Sequence, residues 1–250
     1  MASRTDRPYR AGRAEPAPLA GFTVAVTAER TDAGLRALLD RSGARVLDAP
    51  AGTPAPPRED AVPRHPELAA VRRLIGQIVA GQVDAVTFTS APAARALLAV
   101  AGFGAAELFG DRVLAACVSP AGAAPLRAAG IAALVPQRAR AGALVRLVGA
   151  ELLRRVRRVT VAGTRLELRG HAVLVDGEVR LLAPATMAVL AALAARPGAV
   201  LSRADLAAAL PRSADNHAVD MAVVRLRAAL GSSRYVETVI KRGYRLPVDA

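Results

Sequence analysis

TRLELRGHAVLVDGEVRLL, residues 164–182, alternates apolar and polar side chains with a period of two and is interrupted by Asp176-Gly177. Successive side chains on a strand point to opposite faces, so the alternation writes antiparallel sheet with one buried face. Asp-Gly is a dipeptide that closes a tight hairpin. Before about residue 157 the chain follows another rule. Short continuous apolar runs, GFTVAVTA (21–28), ARVLDAP (44–50), VDAVTFTS (83–90), VLAACVS (113–119) and IAALVPQ (131–137), are separated by stretches of helical period. Strands buried on both faces and joined through helices make a parallel sheet. The 250 residues therefore divide into two units of different class, α/β followed by α+β.

In the first unit, helices are expected at 31–42, where Gly43 stops the turn, and at 67–80, 91–101, 121–129 and 141–155. Five strands fit the flavodoxin-like order 2-1-3-4-5, in which sites lie at the carboxyl ends of the strands. Here those ends carry Thr27, Thr89, Ser90 and Ser119. The segment AGTPAPPREDAVPRHP (51–66) is too rich in proline for helix or central strand and reads as an extended linker. MASRTDRPYRAGRAEPAP (1–18) reads as a disordered tail.

In the second unit three helices follow the sheet: 184–195, 203–209 with Ser202 as its cap, and 216–230 ending at Gly231. On the last of these, Val219, Val223, Leu226 and Leu230 share one face and pack inward, leaving His217, Arg225 and Arg227 elsewhere. The chain closes with YVETVIKRGYRLP (235–247), two short alternating runs around Lys241-Arg242-Gly243, a hairpin with two cations at its tip.

The formal net charge is +13, which favours polyanionic partners. Part of that charge is compositional. Lys241 is the only lysine, and an excess of Arg, Ala, Gly and Pro is what a GC-rich coding sequence writes. Cys117 is the only cysteine, so no internal disulfide forms and a reducing compartment is expected. No apolar run reads as long enough for a bilayer and the start lacks an apolar leader, so no membrane partner and a cytoplasmic location are expected. His65, His171 and His217 have no metal-ligand spacing, and no Ser-His-Asp, Cys-His, P-loop or dinucleotide-glycine pattern is present.

The residues of about 160–248 resemble the OmpR-type winged-helix domain of response-regulator transcription factors. LSRADL (201–206) resembles the entry to that family's second helix, VDMAVVRLRAAL (219–230) its recognition helix, and VETVIKRGYRL (236–246) its wing. The resemblance implies double-stranded DNA as partner, with His217, Arg225, Arg227, Lys241, Arg242 and Arg245 as contacts. Ala222, Val224 and Ile240 depart from the polar or cationic residues common there. Paired half-sites are frequent among winged-helix factors, which makes a dimer an expectation that no particular residue supports.

The α/β unit is similar to uroporphyrinogen-III synthase. GFTVAVTAERTDAGLRALLDRSGARVLDAP (21–50), VDAVTFTSAPAARALL (83–98) and VLAACVSPAGAAPLRAAGI (113–131) carry that likeness. Members have two α/β lobes around a cleft; here one lobe is written, and the place of the second falls at 51–66. The resemblance implies a linear tetrapyrrole, hydroxymethylbilane, closed to a macrocycle by a lyase that needs no metal or cofactor. Thr27, Thr89, Ser90 and Ser119 would be the tetrapyrrole-binding hydroxyls, and no catalytic residue is assigned. Half a cleft compromises closure and water exclusion. Two departures weaken catalysis further: Ala28 where arginine is common, and Ser119-Pro120-Ala121-Gly122 in place of a Gly-Pro-Thr-Thr-like loop. The organisation expected is a tail at 1–18, a synthase-like lobe at 19–155 and a winged helix at 157–250. The function expected is a DNA-binding transcriptional regulator with a tetrapyrrole-sensing lobe. The alternative is a uroporphyrinogen-III synthase with an appended DNA-binding domain.

Overall fold

The computed structural model describes residues 16–27, 33–49, 65–110, 113–210 and 215–247. Five parallel strands, β1 (Thr23–Thr27), β2 (Arg45–Asp48), β3 (Ala85–Phe88), β4 (Leu114–Cys117) and β5 (Ala133–Leu134), form one sheet in the order β2-β1-β3-β4-β5. This is the order expected from the sequence. Five helices cover it: α1 (Ala33–Arg41), α2 (His65–Val79), α3 (Ala91–Ala101), α4 (Pro120–Ala128) and α5 (Ala141–Arg154). Side chains alternate across the sheet, so the two faces build two separate cores. Val24 and Val26 of β1 pack with Leu35, Leu39, Leu144 and Val148 of α1 and α5. Ala25, Val86 and Phe88 pack with Leu74, Ile78, Leu97 and Leu126 on the opposite face. Cys117 is fully buried in β4, as its apolar neighbours predict, and burial pushes its thiol up to about 11.

Several expectations are corrected. The last strand contracts from seven residues to Ala133–Leu134, paired only with Ala115 and Ala116, and Pro136 just beyond has no N–H to extend the ladder. Helix α3 ends at Ala101 as expected, but a separate run of 3-10 turns follows directly over Gly102–Leu108. The stretch Ala91–Leu108 is thereby long and apolar enough, by length and composition, to cross a membrane, contrary to the sequence reading. Ala93, Ala94 and Leu97 of that stretch are buried in the lobe core. Pro16 to Pro18, expected in the tail, lead into a turn packed on the lobe, with Ala17 against Gly43. The remainder of the tail and most of the proline-rich 51–66 lie outside the described residues.

The second unit opens with an antiparallel meander of β6 (Arg157–Val161), β7 (Thr164–Arg169), β8 (Ala172–Val175) and β9 (Glu178–Leu181). The β8–β9 turn is the Asp-Gly hairpin, with φ 49° at Asp176 and 84° at Gly177, and Asp176 accepts the Arg165 N–H. Helices α6 (Pro184–Ala195), α7 (Arg203–Ala209) and α8 (Asn216–Leu230) follow, then the hairpin β10 (Glu237–Val239) and β11 (Gly243–Arg245). Val173, Leu190, Leu193, Leu206, Val223, Leu226 and Leu246 belong to one core joining the meander, the helices and the hairpin.

The β7–β8 turn meets the amino-terminal end of the parallel sheet. Arg169 donates to the Ala20 carbonyl at 3.4 Å, and Gly170, at φ +52°, lies so close to the Asp84 carboxylate that a Cβ there would sit 2.3 Å from its oxygen. Asp84 is 7% exposed and accepts the Thr23 N–H at 2.7 Å. Burial pushes its carboxyl up to about 7.

Candidate nucleic-acid interface

Helix α8 begins at Asp215, whose carboxylate accepts the Ala218 N–H, and ends at Gly231. Val219, Ala222, Val223, Leu226 and Leu230 bury against the core. Ala222, one of the departures noted in the sequence, is therefore interior and makes no outward contact. The outward stripe is His217, Met221, Val224, Arg225 and Ala228, all exposed. Beside the helix, the β10–β11 hairpin presents Ile240, Lys241 and Arg242, also exposed.

A polar network fixes the helix to the hairpin. The Tyr244 hydroxyl on β11 donates to Asp220 of α8 at 2.6 Å, Arg203 of α7 donates to the same carboxylate at 2.8 Å, and Arg203 also reaches the Tyr244 oxygen. These donors, the tyrosine foremost, hold the Asp220 carboxyl below the usual carboxylate range. Arg227 donates to the Val236 carbonyl at 2.6 and 2.9 Å and to the Thr238 hydroxyl at 2.8 Å, with its guanidinium over the Tyr244 ring. Arg245 pairs with Glu237 directly across the hairpin. Gly243 sits against the Leu201 carbonyl, where β11 bridges back to the strand-like residue ahead of α7.

The six cationic candidates therefore separate. His217, Arg225, Lys241 and Arg242 project outward, whereas Arg227 and Arg245 are engaged within the domain. Sequence spacing missed the Arg203–Asp220–Tyr244 network. A Tyr in the GYR stretch and an Asp one residue after a buried Val were its only signals.

The four lobe hydroxyls gather at the carboxyl ends of β1, β3 and β4, as expected, but each has an internal partner. Thr27, 3% exposed, donates to the Thr87 carbonyl at 3.0 Å, and Thr89 donates to the Thr27 carbonyl at 3.3 Å. Ser90 caps α3 by accepting the Ala93 N–H, and Ser119 caps α4 by accepting the Gly122 N–H.

Residues 177–246 match the family model described as transcriptional regulatory protein, C terminal. No curated protein matches the chain. Among solved structures, the DNA-binding domain of Escherichia coli CadC is 31% identical over 38% of this chain and 92% of its own, with a TM-score of 0.33. The Klebsiella pneumoniae RstA DNA-binding domain, solved with its RstA box, is 23% identical over 36% of this chain and 96% of its own, with a TM-score of 0.30. Uroporphyrinogen III synthase from Thermus thermophilus is 27% identical over 54% of this chain, with a TM-score of 0.35; the chain spans 51% of that synthase. The model of uroporphyrinogen-III synthase HemD matches residues 17–146, which is 130 of the 250 residues, and on that match the chain belongs to the uroporphyrinogen-III synthase HemD family, carrying beyond its single lobe a segment of the transcriptional-regulator type.

Proposed function

We propose that the chain is a transcriptional regulator that binds double-stranded DNA through α8 and the β10–β11 wing, with the synthase-family lobe as its tetrapyrrole-responsive part. The observation that carries this is the pairing of two outward cationic features, Arg225 with His217 on α8 and Lys241-Arg242 on the wing, held in fixed relation by the Tyr244–Asp220–Arg203 network. A major groove about 12 Å wide admits a helix, and cations flanking it meet phosphates. In this reading Lys241 and Arg242 contact backbone, Arg225 reaches a base edge or phosphate, and Arg227 and Arg245 brace the wing from behind. The lobe's role is supported by the family match alone. A chromosomal target would place the protein in the cytoplasm.

The test is DNA binding by the full chain across a salt series. Lys241→Ala with Arg242→Ala removes two phosphate contacts, which lowers the slope of log affinity against log salt by about 1.8 and weakens all sequences alike. An unchanged slope in the double variant would refute the wing assignment.

The family match also supports a second reading, synthase activity on hydroxymethylbilane. Weighing against it, the two threonine hydroxyls at the strand ends already donate to backbone carbonyls.

A further inference from the structure

The outward stripe of α8 is unusually poor in groups that can read a base edge by hydrogen bonding. Between His217 in the first turn and Arg225 in the third stand Met221, 38% exposed, and Val224, 55% exposed, with Ala228 beyond. At positions 217, 221, 224, 225 and 228 these side chains share one face. The core side is already complete, since Val219, Ala222, Val223 and Leu226 are buried against it. Met221 and Val224 are thus apolar groups left facing out, in the middle of a surface whose rim is Arg225, Lys241 and Arg242.

The rim selects the occupant. A cationic border on a chain of net charge +13 complements a polyanion and disfavours a second copy of itself. Within a duplex, the major groove offers one apolar group, the C5 methyl of thymine. Guanine, cytosine and adenine present only donors and acceptors there. Valine has no hydrogen-bonding atom, and the methionine thioether is a weak acceptor. A guanine, cytosine or adenine edge placed against Val224 would lose water without gaining a partner.

Resting on the reading that α8 enters the major groove, we propose that Met221 and Val224 are specificity-determining residues that recognise thymine methyl groups, so that the operator carries thymines at the two positions facing them. Arg225, one residue on and on the same face, anchors the neighbouring base pair or its phosphate.

The test uses the full chain. Binding sites are selected from a random duplex pool, and in the preferred duplex each thymine is replaced singly by deoxyuridine, which removes the methyl and leaves pairing intact. Two replacements are expected to weaken binding about fourfold each, the worth of one buried methyl. Val224→Ser should abolish the thymine–uracil difference at one of those positions and Met221→Ser at the other. Both sites are exposed on the helix, and serine and valine have similar helical propensity, so the variants fold. Equal affinity for thymine and uracil at every position, with DNA binding intact, overturns this proposal and leaves the regulator reading standing. Self-association that disappears in Val224→Ser, with uracil and thymine bound alike, overturns it in favour of a contact between copies. Failure to retain any duplex overturns the regulator reading itself.

Discussion

Replacing Asp84 by asparagine should shift stability steadily in the variant's favour as pH rises, from a net loss at about pH 4 to a net gain at about pH 8. Asp84 stands at the foot of β3, covered by Gly170 of the neighbouring turn, with the Thr23 N–H as its hydrogen-bond donor. Burial outweighs that bond and lifts its carboxyl from the usual 3.8 to about 7. Between these two pH values the unfolded chain has released the proton and the folded chain has kept it. Stability from this group is therefore complete below about pH 4, falls as pH rises and levels off above about pH 7. At about 1.4 kcal/mol per pH unit, the total loss is about 4 kcal/mol. Asparagine keeps a carbonyl for the Thr23 N–H and has no charge to bury. Its amide group, set against Gly170, adds an offset of about 1–3 kcal/mol that does not vary with pH. The stability of Asp84→Asn minus that of the natural chain should thus climb by about 4 kcal/mol from pH 4 to pH 8. The chain has no tryptophan, so urea unfolding is best followed by far-ultraviolet circular dichroism. His171, on the same turn, is held below its usual pKa by burial and by Arg45. A difference that stays flat across this range refutes the raised pKa of this carboxyl.

Two further outcomes are expected. At Gly243, φ is +134° and a Cβ would lie 1.9 Å from the Leu201 carbonyl oxygen, so Gly243→Ala must break the bridge between β11 and the residues before α7. Unfolding should show a loss of about 3 kcal/mol, and a variant within 0.5 kcal/mol of the natural chain, roughly the noise of a surface substitution, would contradict that geometry. Incubation of hydroxymethylbilane with the purified protein should give only the isomer I that forms spontaneously, and isomer III formed in proportion to protein would establish the synthase reading instead.

The parallel sheet was legible because its strands are short apolar runs, three of which, β1, β3 and β4, lead to Thr or Ser at the carboxyl end, and the cap at Ser202 is read correctly from a hydroxyl just ahead of a helical period. The meander and the inward face of α8 follow from period two and period 3.6. Less legible was anything set by side-chain reach. Arg227 lies on a helix flank that spacing alone leaves open to solvent, yet its long side chain turns back to the Val236 carbonyl. Asp84 looks like the polar boundary of a strand, because nothing local announces that a glycine 86 positions later will cover it. The 3-10 turns that follow α3 over Gly102–Leu108 were hidden for a related reason: glycine commonly ends a helix, and nothing local shows the chain coiling on.

The match to the regulator family begins at residue 177, inside the Asp-Gly hairpin, whereas the meander that supports α6 and α8 begins at Arg157. A graft cut at 177 would carry the wing without three of the strands beneath it. Gly170, which covers Asp84, stays with the part left out, so the lobe keeps its cover. The β7–β8 turn is therefore shared masonry: it finishes the floor of one unit while forming an edge of the other. A lobe separated upstream of it would let water back to that carboxyl, exchanging a covered floor for freedom to ionise.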